Sequence, residues 1–315
     1  MVNRRRLDLC NASDPIQHLQ YLLAPGARRG RLKPVQQVRV IMSNNTEPRF
    51  SNARAPTLEE LAKRGNTECV SDELLARLAK VSSGTLTTQL FKRGYRQPVM
   101  VGVTPLNKDI KPFAGRAYTM RFIPAREDLD TVATMTTGAN PDNLQWFGVE
   151  QVQAGDVLVI DSRGDTRAAA MGDVLVKRMM LRGAHAVVTD GAFRDGDEIS
   201  EMAIPAWSAG VTATSRLSFH HVADLQVPIG CADVAVYPGD VIHGDRNNVT
   251  VIPAHLAAEL ADVCEAMDDI ENYIAQRIGS GDAIWGVFPA NEKTRAEYEM
   301  WVADGRPALP QLGVE

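Results

Sequence analysis

The chain has little cysteine, and its four cysteines follow no recognised pattern. Cys10, Cys69, Cys231 and Cys264 are widely separated, with neither CxxC spacing nor the spacing of a zinc ligand set. The arrangement therefore indicates neither a disulfide framework nor a structural zinc site. Cys69 has no visible activating partner, so we do not expect a nucleophilic thiol there. Reduced thiols in a cytoplasmic protein are the simplest expectation.

A basic surface and a long apolar segment are also lacking. The 315 residues have a formal net charge of -5, whereas binding to a phosphate backbone requires a basic face. No apolar run approaches the roughly 18 residues that a membrane span requires. Nucleic-acid binding and membrane insertion are therefore not expected. With 44% hydrophobic and 23% charged residues, the composition is typical of a globular protein with a substantial core.

The first 41 residues differ in composition from the rest. Eight basic residues stand against two acidic ones, Asp8 and Asp14, and no apolar period is sustained. Such a segment is expected to be unfolded or peripheral. It lacks the serine enrichment and the amphipathic helix of an organellar transit peptide. Two explanations stay open: a genuine flexible arm, or a start codon assigned too far upstream of Met42.

Periodicity and capping residues predict an α/β chain. Thr57, Ser71 and Ser83 have the character of helix caps, and Gly94 is expected to end the third helix. The aliphatic run 157–160 predicts a strand that is buried on both faces. Segment 138–150 has no clear type. The other predicted strands are 99–103, 116–123, 186–189, 203–207, 232–236 and 249–252, and the other predicted helices are 126–135, 172–182, 254–278 and 292–301.

Polar residues suited to a site lie between Gly172 and Glu198. Twenty residues separate Asp173 from the pair Arg194 and Asp195, which is enough for one helix and one strand, so the three side chains can return to a common place. A helix start at Gly172 would favour a carboxylate through its free amides and dipole. Asp195 suits Mg²⁺, which takes one or two carboxylates and keeps several waters. Arg194 can hold an anionic substrate or the charge that develops on a carbonyl oxygen.

A purely structural explanation of the same residues stays open. In that case Asp173 is only a helix cap, and Arg194 with Asp195 is a surface ion pair in a polar loop. Spacing alone favours this explanation, because short motifs frequently match by chance.

Four motifs occur in a recognisable order along the chain, namely Gly155–Asp161, Gly172–Asp173, Arg194–Asp195 with Glu198, and Pro238–Asp245. Taken together they resemble the RraA-like family, which includes the class II 4-hydroxy-4-methyl-2-oxoglutarate/4-carboxy-4-hydroxy-2-oxoadipate aldolases. The resemblance covers roughly residues 70–275 and is more specific than any one motif. It implies an α/β fold, namely an αββα sandwich of the swivelling β/β/α type, here with N- and C-terminal helical additions.

The resemblance also divides the chain. Residues 42–278 are expected to form the RraA-like catalytic domain with its N-terminal helices, after a disordered leader or overlong start at 1–41. Residues 279–315 are expected to form a C-terminal tail and helix. In that tail, Trp285 and Phe288 are expected to pack on protein and not to stack on a ligand.

Each polar residue of the motifs has a role that the resemblance implies. Asp195 would ligate Mg²⁺ or Mn²⁺, Arg194 would contact the 2-oxo oxygen of the substrate, and Asp173 would hold a metal-bound water. Glu198 would reach the metal's waters, across a subunit boundary if necessary. The backbone amides implied to bind the pyruvoyl carboxylate are those of Gly172, Asp173, Val174 and Leu175. Met171 and the long segment 138–150 depart from the family pattern and could line the pocket, where they would affect the choice of substrate.

The function that the resemblance implies is a divalent-metal-dependent lyase that releases pyruvate from a 2-oxo acid through an enolate. Oxaloacetate decarboxylation shares that enolate, and a lysine Schiff base is not needed, so Lys177 is expected to form an ion pair. The family suggests a homotrimer or a hexamer with sites between subunits. Two alternatives stay open: a regulator of ribonuclease E that acts by protein contact, and a sugar-acid pathway 2-oxo acid aldolase.

Two further groups of residues have structural explanations. His220 and His221 are adjacent, so their side chains do not face the same way and a metal pair is not expected. Thr85, Thr87 and Thr88 are expected near a helix start, since no histidine is close enough in sequence to activate a hydroxyl nucleophile.

Overall fold

A computed structural model of the chain describes residues 70–107, 109–128, 130 and 143–310. The predictions made for the first 41 residues, for Cys69 and for the helix at Thr57 lie outside these ranges, as does most of the helix predicted at 126–135.

The described residues form thirteen β-strands. The strands, in chain order, are β1 (Thr104–Pro105), β2 (Phe113–Pro124), β3 (Asp156–Asp161), β4 (Ala169–Met171), β5 (Ala186–Thr189), β6 (Ala192–Phe193), β7 (Ala206–Ser208), β8 (Gly210–Val211), β9 (His220–Leu225), β10 (Ile229–Cys231), β11 (Val234–Val236), β12 (Val241–Gly244) and β13 (Val249–Ile252).

Seven α-helices lie in the same ranges, and no helix described there is long and apolar enough to cross a membrane. Short 3₁₀ turns at Arg216–Ser218 and Ala254–Leu256 complete the helical structure. The helices are α1 (Asp72–Leu78), α2 (Ser83–Lys92), α3 (Leu144–Gln151), α4 (Asp173–Leu181), α5 (Gly196–Ser200), α6 (Ala257–Gly279) and α7 (Glu292–Ala303).

The main sheet has a parallel centre and antiparallel edges. Strands β2, β3, β5 and β7 are successive neighbours and run parallel to one another. Strand β1 adds antiparallel to β7, and β12 followed by β13 adds antiparallel to the other side of β2. The first part of β2 pairs with β12 and its last part with β9, so this long strand changes partner along its length.

Strand β3 is the most completely buried part of the sheet. Val157 and Val159 pack into the cluster on one face, and Leu158 and Ile160 pack into the cluster on the other. All four side chains are fully buried. Because successive side chains of a strand point to opposite faces, a run of four aliphatics requires protein on both sides. The prediction of a strand with two buried faces is confirmed.

A third apolar cluster joins the terminal helices to the sheet. Leu75 and Leu78 of α1 and Leu86 and Leu90 of α2 pack with Leu260 of α6. All five side chains are fully buried. The helical additions that flank the sheet in sequence therefore share one core.

A small parallel sheet outside the main one determines where the site lies. Strand β4 pairs with β6, and β6 pairs with β8, all in parallel. The carboxyl ends of the three strands therefore meet along one edge. Gly172 and Asp173 directly follow β4, and Arg194 and Asp195 directly follow β6, so both motifs are brought to that edge.

Two predicted elements differ in the structure. The strand predicted at 99–103 is wrong, because only Val99 bridges to Thr250 and the chain then turns at Gly102, whose φ is +81°. Segment 138–150, whose sequence predicts neither a helix nor a strand, contains the start of α3. Asn143 caps that helix, since its side-chain oxygen accepts hydrogen bonds from the second and third residues beyond it.

Other predictions hold with small shifts in their bounds. Ser71 caps α1 as predicted, but Ser82 and not Ser83 caps α2, and Thr85 donates to Asp268 in α6. The strand predicted at 203–207 is shorter and shifted toward the C-terminus, as β7, and the strand predicted at 232–236 is shortened to β11. The predicted long helix begins with a 3₁₀ turn before α6.

Two aromatic side chains of the tail are exposed in this chain. Trp285 is 87% exposed and Phe288 is 51% exposed, whereas Val287 between them is buried. The expectation that the two aromatic residues pack on protein stays a prediction.

A buried carboxylate just before β12 makes stability depend on pH. Asp240 is 6% exposed, and burial raises the pKa of its carboxyl group to about 6, although the N–H groups of Tyr237 and Ala254 donate to it. A raised pKa in the folded state means that stability is highest below the unfolded pKa and is lost as pH rises through the folded pKa.

We therefore expect Asp240→Asn to become more stable relative to the wild type as pH rises from about 4 to about 7. The expected change in the difference between their free energies of unfolding is about 3 kcal/mol. Urea titrations of both proteins across this range measure it, with Asp233→Asn at an exposed position as the control for the loss of one charge. A difference that does not vary with pH would contradict this role of Asp240.

Candidate active site

The start of helix α4 offers free backbone donors at the edge of the small sheet. Gly172 is the N-cap of α4, lies in extended backbone and has no side chain with which to cap the first turn of this helix. The first amides of a helix have no partner within the helix, and the helix dipole places partial positive charge there. This helix start is therefore suited to a carboxylate.

The Arg194 and Asp195 pair lies beside that helix start. The backbone N–H of Arg194 donates to the carbonyl oxygen of Met171, 2.9 Å away, which joins the end of β6 to the end of β4. Asp195 is left-handed, with φ 61° and ψ 45°, a conformation that aspartate tolerates better than most residues. Its Oδ2 accepts a hydrogen bond from Arg194 Nε at 3.1 Å.

The electrostatics of the pair keep Asp195 ionised. Partial burial raises the pKa of the Asp195 carboxyl group, but the hydrogen bond and charge of Arg194, together with hydrogen bonds from Asp173, outweigh it and hold the pKa below its usual value. The side chain of Asp195 is 29% exposed, so the ionised group is accessible to a ligand.

Gly172 lets the carboxylate of Asp195 approach the helix start closely. A Cβ atom at position 172 would lie 2.7 Å from Asp195 Oδ2 and 3.6 Å from Arg194 Nε. The shorter distance is less than the contact distance that a carbon and an oxygen allow. Any side chain at this position would therefore displace the carboxylate from the amide of Asp173.

Gly172→Ala is accordingly expected to weaken cation binding at the site without a large change in the stability of the fold. The displaced group is the end of a side chain, so we expect a thermal midpoint within about 3 °C of the wild type and at least a 10-fold loss of affinity for a divalent cation. Thermal unfolding and a titration with Mn²⁺ followed by electron paramagnetic resonance measure the two effects. Unchanged cation affinity would show that the close approach is unimportant; Gly230→Ala, at a position with open space for a Cβ, is the control.

A cavity of about 160 Å³ opens at this edge, and we call it the site cavity. It is smaller than the roughly 300–1,000 Å³ of pockets for drug-sized ligands, which suits a small metabolite. Five of the residues implied by sequence to bind substrate line it, namely Gly172, Asp173, Val174, Leu175 and Arg194. The other lining residues are Gln145, Ala169, Met171, Ser215 and Arg216.

Met171 and Gln145 belong to the two parts of the chain that were expected to affect substrate choice, and both line the site cavity. Arg216 and Ser215 were missed. They lie at the start of the 3₁₀ turn that follows β8, the third strand of the small sheet, and a short loop separates them from the end of that strand. Strand β8 has only two residues, which is too short to show a period in the sequence.

Other predicted residues lie away from the site cavity. Glu198 is exposed on α5 and does not line the site cavity. Its role at the metal stays a prediction. His220 is fully buried and contacts the carbonyl oxygen of Ala168, whereas His221 pairs with Asp130, so the two rings serve different neighbours. The expectation that these histidines do not form a metal pair agrees with that geometry.

The site offers two acidic side chains as possible ligands for a divalent cation. The carboxyl group of Asp173 lies within hydrogen-bonding reach of the Asp195 carboxylate, so two acidic groups converge there. Within the described ranges of the chain, no group of three His, Cys, Asp or Glu side chains is placed to hold a metal. Mg²⁺ is commonly held by one or two carboxylates with water and substrate oxygens completing the shell, so the arrangement fits Mg²⁺ and not a closed zinc site.

The fold and the cavity define an α/β protein with a small polar cavity at the end of a parallel sheet. The sequence model of the RraA-like family, described as Aldolase/RraA, matches residues 67–251. The chain belongs to this family.

Relatives and a solved structure agree with that assignment. A protein of Halalkalibacterium halodurans named "Putative 4-hydroxy-4-methyl-2-oxoglutarate aldolase" is 35% identical over 154 residues, which are 48% of this chain and 68% of that protein. Protein DlpA of Legionella pneumophila is 27% identical over 225 residues, which are 71% of this chain and only 34% of DlpA.

The solved structure is Streptomyces coelicolor RraAS2, described as an unusual member of the RNase ES inhibitor RraA protein family. It is 30% identical with a TM-score of 0.59, and the match covers 66% of this chain and 98% of that one. The predicted fold class, α/β of the RraA-like type, is confirmed.

Proposed function

We propose that this protein is a divalent-metal-dependent lyase that cleaves a carbon–carbon bond of a 2-oxo acid and releases pyruvate. The single observation that supports this most is that Arg194 and the start of helix α4 line one small cavity, with the ionised Asp195 hydrogen-bonded to Arg194 beside it. The name of the Halalkalibacterium relative favours 4-hydroxy-4-methyl-2-oxoglutarate as substrate. An oxaloacetate decarboxylase activity is part of the proposal, because it passes through the same enolate.

Substrate binding follows from the donors at the helix start. The carboxylate next to the 2-oxo group accepts hydrogen bonds from the amides between Gly172 and Leu175, where the helix dipole favours negative charge. The 2-oxo oxygen then faces Arg194. Its Nε is used by Asp195, which leaves the outer nitrogens of the guanidinium for the substrate.

Three side chains then stabilise the charges that develop as the bond is cleaved, namely Asp195, Arg194 and Asp173. Mg²⁺ or Mn²⁺, held by Asp195, supplies a Lewis acid that polarises the 2-oxo group when it is bound. As the bond between C3 and C4 breaks, its electron pair moves toward the 2-oxo oxygen, and Arg194 stabilises the developing negative charge by hydrogen bonding. Asp173, on the cavity wall, orients a water that takes the proton of the 4-hydroxyl group. The same water returns that proton to C3, which completes one pyruvate, and the C4 fragment of 4-hydroxy-4-methyl-2-oxoglutarate leaves as a second pyruvate.

The assembly and the compartment complete the proposal. We propose a homotrimer or hexamer, with Glu198 contributing to a neighbour's site from the exposed surface of α5. Cys231 and Cys264 are buried free thiols, which suits a reducing compartment such as the cytoplasm.

A screen of 2-oxo acids coupled to pyruvate detection tests the function. 4-Hydroxy-4-methyl-2-oxoglutarate, oxaloacetate and 4-hydroxy-2-oxo acids derived from sugar acids are assayed with Mg²⁺ and with EDTA. We expect pyruvate from the first two only when metal is present. A preference for the sugar-acid compounds would favour that alternative aldolase, and no pyruvate from any compound would refute the lyase proposal.

Regulation of a ribonuclease by protein contact is a second candidate, and the likeness to RraAS2 favours it. The converging polar groups in the site cavity have no role in such a function, which is why we rank it second. A pull-down with ribonuclease E and a cleavage assay test it. Inhibition that persists in Asp195→Asn, in a protein without lyase activity, would make it the leading function.

A further inference from the structure

The site cavity contains a second arginine that the mechanism above does not use. Arg216 also lines the cavity. It lies in the segment after β8, whereas the other two motifs follow β4 and β6. It shares this lining with Arg194 and with the free helix start of α4. The cavity lining therefore holds two guanidinium groups, and Arg194 is already paired with Asp195, so Arg216 is the cation that is available for a second anionic group.

Neutral acceptors hold the guanidinium of Arg216 in place. Its Nε donates to Gln145 Oε1 at 3.1 Å, and its Nη1 donates to the carbonyl oxygen of His220 at 2.9 Å. Gln145 is itself 5% exposed and donates through Nε2 to the carbonyl oxygen of Ala170, in the middle of β4. The side chain is thus fixed from two sides before any ligand arrives.

The charge of Arg216 is not neutralised by the protein around it. Among the described residues, no carboxylate lies within ion-pair distance of this guanidinium; the nearest acidic influence is Asp130, whose Oδ1 is bonded to His221. Burial lowers the pKa of Arg216, although an arginine stays protonated in proteins. A partly buried cation that is held only by neutral groups favours an anionic ligand.

We propose that Arg216 binds the second carboxylate of a dicarboxylate 2-oxo acid, and that it is the residue that selects such substrates over monocarboxylates. The substrate class rests on the proposed function. The first carboxylate lies at the amides of α4, the 2-oxo oxygen lies at Arg194, and the far carboxylate accepts hydrogen bonds from Arg216. Gln145 acts as a positioning residue, since it orients the guanidinium and faces the same cavity.

A matched pair of ligands tests this without any need for catalysis. 2-Oxoglutarate and 2-oxopentanoate have the same five-carbon skeleton and differ only in a terminal carboxylate or methyl group. Each is titrated by calorimetry, in the presence of Mg²⁺, into the wild type and into Arg216→Met, which removes the charge and keeps an unbranched side chain in place of the arginine stem. The wild type is expected to bind 2-oxoglutarate at least about 10-fold more tightly than 2-oxopentanoate.

Arg216→Met is expected to weaken 2-oxoglutarate about 10- to 100-fold, as the loss of a hydrogen-bonded charge pair does, and to change 2-oxopentanoate by less than about 3-fold. Arg216→Lys keeps the charge but cannot keep both anchoring bonds, so an intermediate loss is expected; it also serves if Arg216→Met does not fold. Arg246→Met, which removes a 71% exposed guanidinium outside the cavity lining, should change neither ligand.

Equal losses for both ligands in Arg216→Met, or no loss for 2-oxoglutarate, would overturn the assignment, because a merely structural role does not distinguish the two. The outcome is separate from that of the lyase proposal. Selective binding of 2-oxoglutarate without pyruvate release from any substrate refutes the lyase and supports Arg216. Pyruvate release with equal binding of both ligands does the reverse.

Discussion

Replacing Asp195 with asparagine is expected to lower kcat/KM for pyruvate release by about 1,000-fold or more. The variant keeps the shape of the side chain but loses the negative charge that the cation requires, and a Lewis acid contributes several kcal/mol to the stabilisation of the transition state. Asparagine tolerates the left-handed backbone at this position, so the loss should not come from unfolding. Steady-state assays with Mg²⁺ in excess, together with thermal unfolding, measure both properties.

A control for Asp195→Asn is available on the same short helix. Asp197 is exposed on α5, whereas Asp195 pairs with Arg194, so Asp197→Asn removes the same charge nearby without breaking that pair. We expect the control to retain most of its activity. If both variants were equally active, or if Asp195→Asn kept wild-type activity, the carboxylate would have no role in catalysis.

Replacing Arg194 with lysine is expected to lower kcat by about 100- to 1,000-fold, with a smaller change in KM. Lysine keeps the charge but is a single donor centre, and it cannot bond Asp195 and a substrate oxygen at once with the geometry of the guanidinium. The effect should appear in kcat because the oxygen becomes negative only as the bond breaks. Arg178→Lys, at an exposed position of α4 that pairs with Glu150, is the matched control.

An effect of Arg194→Lys on KM alone would contradict this role. It would mean that Arg194 binds the ground state and the transition state equally, as an anchor for the carboxylate does. Kinetics of the variant over a range of substrate concentrations separate the two cases.

Much of the site could be predicted from the sequence because its parts lie at the ends of neighbouring strands. The segment between Asp173 and Arg194 forms helix α4, strand β5 of the main sheet and strand β6 of the small sheet, so one more strand than predicted brings the two motifs to one edge of the small parallel sheet. The close contact between Gly172 and Asp195 could not be predicted, since it depends on the left-handed backbone of Asp195.

Arg216 and Gln145 could not be found from spacing. They are 71 positions apart in the chain, and the hydrogen bond between them exists only because α3 and the turn after β8 meet at the small sheet. Neither residue belongs to a local sequence motif. Strand β8 has only two residues, which is too few for a strand pattern to be recognised in the sequence.

The same contrast applies to the fold. The strand β3 was predictable because four consecutive aliphatics leave few other arrangements. The failed strand at 99–103 has β-forming residues as well, but a glycine with positive φ turns the chain after one bridge. The exposure of Trp285 is likewise not a property of its residue type, because tryptophan is usually buried.

The most direct test of the central claim is a titration of metal-stripped protein with Mg²⁺, followed by pyruvate release from 4-hydroxy-4-methyl-2-oxoglutarate. The account predicts no release after EDTA treatment, a saturable return of activity in the wild type, and no return in Asp195→Asn. Release that survives metal removal and is unaffected by Asp195→Asn would contradict it.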